Sequence, residues 1–265
     1  MLRVLWSSRS AMSAQQEKLD SISNNIANVN TEGYKRTDVN FRDLVYESLN
    51  RKGYPNSEEN ALNSYNGTGV RTGDWIRDTK QGNLSETSVT TDLAIDGQGY
   101  FEVLLPELNE DGTNKKAYTR NGSFNIDSTG NLVDKNGNRL NINFNADVSS
   151  QDRVLTKDNF TVDEQGNIRK KNGNTLDVIG KINLYNVLGD NSLKSIGNNL
   201  FVADTETPYL SQNNSIRQGF LELSNVDLSK EMTDMIITQR AFQLSSKAMT
   251  TADEMWGMAN NLRSR

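Results

Sequence analysis

Apolar residues recur every seven positions at both ends of this chain, and all three prolines, Pro55, Pro106 and Pro208, lie between those ends. Near the N-terminus Leu5, Met12, Leu19 and Ile26 follow one another at seven, with Ser8, Gln15, Ile22 and Val29 three residues after each. Near the C-terminus Leu221, Leu228, Met235, Phe242, Met249 and Trp256 do the same, supported by Met232, Ile236, Ala252, Ala259 and Leu262. Such spacing holds apolar side chains on one face of a helix and makes the seam of a coiled coil. It predicts a helix over about residues 2–30, roughly 43 Å long at 1.5 Å per residue. Poor helix formers then gather in Asn28-Val29-Asn30-Thr31-Glu32-Gly33, where Gly33 supplies a positive-φ C-cap. Ser224-Asn225-Val226-Asp227 supplies the N-cap of the second helix. Each stripe could pack on a core of its own, but the middle of the chain reads as β-structure with its own core. The stripes are therefore expected to bury against each other and against neighbouring copies.

Between about residues 75 and 225 the pattern changes to short β-rich runs with turn signals at Asp96-Gly97, Asp111-Gly112, Asn121-Gly122, Asn136-Gly137 and Asn172-Gly173. These predict hairpins, and strands as short as Leu93 to Ile95, Tyr100 to Leu105 and Lys181 to Val187 favour an antiparallel sandwich or open barrel. Phe124 to Leu140 also matches Phe160 to Leu176 at an offset of 36. Two copies are too few for a solenoid and predict a pair of related hairpins in one β domain. Residues 47–74 fit neither period and read as a long loop or extended arm. The expected fold is α+β: N- and C-terminal helices forming a coiled-coil-like domain, and a central all-β, antiparallel, hairpin-rich domain. The expected segments are 1–35, the N-terminal helix; 36–74, an extended arm; 75–225, the β domain; and 226–265, the C-terminal helix.

Composition removes whole classes of function. With no cysteine and no histidine, Cys/His zinc sites, thiol nucleophiles and the Ser-His-Asp arrangement are absent. No catalytic, cofactor-binding or metal residues are expected. A carboxylate pair remains possible among the 34 Asp and Glu. Asn125 to Gly130 resembles the start of a calcium loop but lacks the twelfth-position Glu, so a hairpin turn is expected there. A net charge of −5 without a basic cluster argues against nucleic acid. No run of 18 apolar residues and no signal-like h-region is present, so neither a membrane span nor a cleaved signal is expected. The apolar fraction is only 34 %, against roughly 45–50 % for ordinary globular chains. Either much surface stays wet or it is buried against other copies.

Several stretches carry a resemblance. Ser23-Asn24-Asn25-Ile26-Ala27-Asn28-Val29-Asn30-Thr31-Glu32-Gly33-Tyr34-Lys35 resembles the N-terminal signature of flagellar rod and hook proteins. Gln81 to Leu84, Thr91 to Phe101, Tyr118 to Phe124, Gln218 to Asp227, Gln239 to Phe242 and Lys247 to Met255 follow in the same family's order, so the resemblance spans nearly the whole chain. Length and a single β domain look more like a rod subunit, distal-rod members first, than a hook protein; the proximal-rod members share the signatures. The resemblance implies a helical homopolymer joined to other rod and hook proteins. It also implies export through the flagellar type III apparatus without a cleaved peptide, and a place in the basal body outside the cytoplasmic membrane.

On that reading the assembly interface is Leu5, Met12, Leu19, Ile22, Ile26 and Val29 with Leu228, Met235, Phe242, Met249 and Trp256. Asn24, Asn25 and Asn28 either bridge helices or simply end one. A cell-wall carbohydrate-active enzyme would lose turnover when one Asp or Glu became its amide. A monomeric binding module would keep both helices protected from proteolysis in dilute solution.

Overall fold

A computed structural model describes residues 2–48, 65–108, 114–145, 153–157, 159–172, 175–187, 189, 192–203, 207–211 and 214–263. Asp111-Gly112, Gly173 and the centre of the expected arm, 49–64, lie outside them. The chain is α+β, with a helix at each end and antiparallel strands between. It divides into two compact units. One holds residues 1–27, 37–76 and 227–265, the other residues 28–36 and 77–226.

In the first unit helix α1 spans Leu2–Ala27 and helix α2 spans Leu228–Arg263. α1 stops three residues short of the expected end because the asparagines turn the chain locally. Thr31 N donates to Asn28 O at 3.0 Å, and the Thr31 hydroxyl to Asn28 Oδ1. Asp227 is the N-cap of α2, its carboxylate accepting from Ser229 N and Lys230 N. Leu221 leaves the expected stripe and sits buried on the strand Phe220–Glu222. The segment after α1 is a ribbon: Thr37–Asp43 pairs with Val70–Arg77, and further out Tyr46–Ser48 pairs with Tyr65–Gly67.

The second unit is β-rich. A nine-stranded sheet is built around Tyr100–Leu108 and Asn114–Thr119, and a four-stranded sheet around Asn167–Asn172 and Thr175–Ile182. Both contribute to one apolar core: Phe101, Val103, Leu132 and Leu140 from the first, Phe160, Val162, Ile168 and Ile182 from the second. Period-two alternation explains the choice. Phe101 and Val103 enter this core, whereas Tyr100 enters a smaller cluster with Tyr118, Leu193 and Phe201.

The duplicated segments form matching hairpins in different sheets. Asn125–Ile126, Leu132–Val133 and Arg139–Leu140 correspond to Phe160–Val162, Asn167–Asn172 and Thr175–Ile182. The turn is the same in both. Gly130 N donates to Asp127 O and Gly166 N to Asp163 O, each at 2.8 Å, with both glycines near φ +80°. The turn at Asp134 to Gly137 repeats the design within the first copy. In the calcium-like stretch the Asp127 carboxylate accepts from Ser128 N and Thr129 Oγ1, closing a hairpin turn. Two other turn signals are not hairpins. Leu93–Asp96 pairs with Ser215–Gln218 and not with the strand after Asp96-Gly97. At Asn121-Gly122 the chain crosses Leu93, whose N–H donates to Gly122 O, so closely that a Cβ on Gly122 would lie 1.5 Å from Leu93 O.

Candidate assembly interface

α1 and α2 pack against each other, and the seam they share is small and polar. On α1 the buried residues are Ser8, Ala14, Ser21, Ile22 and Asn25; on α2 they are Glu231, Thr238 and Ala252, with Ser245 half-buried. The expected stripes reach this seam through Ser8, Ile22 and Ala252 and otherwise form its flanks. Leu5, Met12, Leu19 and Ile26 are half-buried, as are Met235, Phe242 and Met249. Leu228 and Trp256 are exposed, and Val29 belongs to the β-rich unit. Glu231, Thr238, Ser245 and Ala252 sit three residues after Leu228, Met235, Phe242 and Met249. With those residues they space at three and four, and of the four only Ala252 is legible as an apolar stripe residue.

Asn25 is fully buried and ties three elements together. Its Nδ2 donates to Thr37 O at 2.8 Å and to Glu231 Oε2 at 3.1 Å, and its Oδ1 accepts from Thr37 N at 2.9 Å. The Ser21 hydroxyl adds a bond to Thr37 O, and Lys18 pairs with Asp38. Asn24 is exposed, and Asn28 shapes the turn after α1.

Another set of large apolar side chains of α2 faces outward. Ile237, Leu244, Thr251 and Met258 recur at seven, with Ala241, Ala248, Met255 and Leu262 four residues after each. Ile237, Leu244 and Leu262 are 61 %, 69 % and 80 % exposed. This is a second heptad stripe, on the side of α2 away from α1. α1 has 26 residues and α2 has 36, so about 15 Å of α2 extends past its partner.

The β-rich unit holds a different constellation, a buried ionic node. The Glu222 carboxylate accepts from Lys35 Nζ at 2.5 Å, Arg120 Nε at 2.5 Å and Gly82 N at 2.9 Å. Arg120 also donates to Ile95 O, Gly97 O and Gly99 O, and Lys35 to Lys80 O. All three side chains are within 5 % of complete burial. Desolvation draws the Lys35 ammonium below its usual range, and Glu222 opposes that shift. Gly33 lets the chain close on this node: it stands at φ +68°, donates to Glu222 O, and a Cβ there would lie 2.7 Å from Asn121 N. Lys35, Gly82, Gly97, Arg120 and Glu222 come from five of the signature stretches identified in the sequence, and each supplies one part of a single cluster. Sequence reasoning quoted these residues without giving them a role. The available signal was their charge, three ionisable side chains set among turn and strand residues.

Comparison with known proteins agrees with this convergence. Three family models match: "Flagella basal body rod protein" over residues 5–35, "Flagellar hook protein FlgE/F/G D1 domain" over 94–152, and "Flagellar basal body rod FlgEFG protein C-terminal" over 217–262. The flagellar basal-body rod protein FlgG of Borreliella burgdorferi is 37 % identical, the alignment covering 99 % of each chain. The chain belongs to the flagellar basal-body rod protein family. FlgG of Bacillus subtilis is also 37 % identical, over 99 % of this chain and 100 % of the relative. The flagellar hook-basal body complex protein FlhP of the same organism is 31 % identical over the same shares. Among the described residues of this rod-family chain no helix is long and apolar enough to cross a membrane.

Proposed function

We propose that the chain is a structural, non-enzymatic subunit of the bacterial flagellar rod, most like the distal-rod proteins. It polymerises into a hollow helical shaft that carries torque from motor to hook. The relatives named as rod proteins support the class of function. The observation that carries the mechanism is the outward heptad stripe of α2, which leaves Ile237, Leu244, Met258 and Leu262 in water. Covering each such side chain gives about 1.5–3 kcal/mol, and seven-residue spacing suits a helix as the cover.

In the polymer the terminal helices form a coiled-coil-like domain. Leu5, Met12, Leu19, Ile26 and Val29 with Leu228, Met235, Phe242, Met249 and Trp256 make contacts between copies, joined by the outward stripe, whereas Ile22 is already buried in the seam within each copy. The segments 1–35, 36–74, 75–225 and 226–265 act as helix, arm, β domain and helix. The partners are further copies, other rod and hook proteins, and the flagellar export apparatus. That apparatus delivers the chain, without a cleaved peptide, to the basal body outside the cytoplasmic membrane.

Polymerisation followed by electron microscopy tests this reading. Full-length chain at high concentration forms fibres or tubes. Leu19→Asp, Phe242→Asp and Leu244→Asp each abolish them while the β-rich unit stays folded. Unimpaired assembly of all three would overturn the interface.

A further inference from the structure

Beside the ionic node, within the β-rich unit, lies a cavity of about 220 Å³ whose lining includes Lys35, Arg77, Gln98, Arg120, Asn186 and Tyr209. No Asp or Glu among the described residues lines it. Lys35 and Arg120 direct most of their donors to Glu222 and to main-chain carbonyls. Arg77 is different. Its guanidinium lies 4.2 Å over the Phe201 ring, and among the described residues it has no hydrogen-bond or ion-pair partner. A guanidinium that stacks on a ring uses its face and not its in-plane N–H fork, and that fork is the geometry that grips a carboxylate through two parallel bonds.

The surroundings favour an anion there. Arg77 is half-buried, and a partly dehydrated cation without a counter-charge is costly. Burial draws its guanidinium below the usual range, opposed only by Tyr100 and Tyr34. The charge balance sets the valence of the ligand. Lys35, Arg77 and Arg120 face Glu222 in the node and Asp78 close by, which leaves one positive charge over. A single monoanion closes that balance, whereas a phosphate dianion overshoots it.

We propose that this cavity is a receptor for one carboxylate group. Arg77 holds it by two bonds, and the Gln98 and Asn186 amides and the Tyr209 hydroxyl add further donors. The carboxylate comes from a free small acid or from a second copy. The cavity itself is formed within one copy, because every lining residue belongs to one unit.

The test is a titration of dilute monomer with sodium acetate at constant ionic strength, reading the Arg77 Nε–H resonance by NMR. A saturable shift is expected, absent when sodium chloride replaces acetate. Gln98→Ala weakens it several-fold, and Arg77→Gln removes the assigned resonance. Arg77→Gln raising the concentration needed for polymer, with its melting unchanged, identifies a second copy as the source; an unchanged concentration identifies a free acid. No saturable shift overturns the receptor. Tighter binding of inorganic phosphate than of acetate overturns the assignment to a carboxylate.

Discussion

The two units solve opposite problems. The β-rich unit finishes itself: Phe101, Phe124, Leu132 and Ile168 are sealed from water, and even the charged Lys35, Arg120 and Glu222 are buried with partners. The helical pair puts Ser8, Ser21, Asn25, Glu231 and Thr238 at its seam and leaves Ile237, Leu244, Met255 and Leu262 outside. Polar seams align helices without much driving force, while exposed apolar stripes hold a driving force that is realised only on contact. On the proposed reading, a chain arranged this way keeps one unit stable alone and completes the other by contact with further copies.

Glu222→Gln breaks the self-sufficiency of the β-rich unit and has the largest expected effect. The amide keeps the shape but leaves Lys35 and Arg120 buried without a counter-charge, and breaking a buried pair costs about 3–5 kcal/mol. Urea unfolding followed by near-ultraviolet circular dichroism should show that loss. An unchanged midpoint would mean that the node does not hold the unit together.

Asn25→Ala sharpens the contrast from the helical side. The buried amide satisfies Thr37 N, Thr37 O and Glu231 Oε2 at once. Its removal leaves buried polar groups unpaired at about 1–3 kcal/mol. Leu244→Asp on the outer stripe should change monomer stability by no more than about 0.5 kcal/mol. Hydrogen exchange along α1 and α2 measures both. If Leu244→Asp costs more than Asn25→Ala, the outer stripe already has a partner within the monomer.

The sequence showed the helices and the β-rich middle because both rest on periodicity, which one chain displays by itself. It also showed the positive φ of Gly33 and the capping role of Asp227, but Gly33 does not cap α1: it stands six residues past Ala27 and donates to Glu222 O. The true seam was less legible. Glu231, Thr238 and Ser245 have side chains that look solvent-facing until a second helix comes close, and they stand outside the apolar heptads of α2. The node was invisible for another reason. Lys35 and Glu222 are 187 residues apart, and nothing local marks two opposite charges as partners. Asp96-Gly97 misled because the dipeptide fixes a turn and leaves the pairing of the flanking strands to tertiary packing.

The smallest expected effect lies on the far face of the nine-stranded sheet and shows how completely the β-rich unit excludes water. Tyr118 is 5 % exposed, stands opposite Glu102 across paired strands, and meets Tyr185 edge to face at 5.9 Å. Burial, and after it the Glu102 charge, pushes its phenol from the usual 10.0 up to about 12. The folded chain therefore keeps a proton that the unfolded chain releases between those values. The resulting stability is present in full below about pH 10 and is lost as pH climbs toward 12. Absorbance near 295 nm, wild type minus Tyr118→Phe, should show one late phenolate. Urea midpoints should fall further for wild type than for Tyr118→Phe between pH 9.5 and 11.5. An equal fall would mean that water reaches this ring, and that the self-contained unit is open on that face.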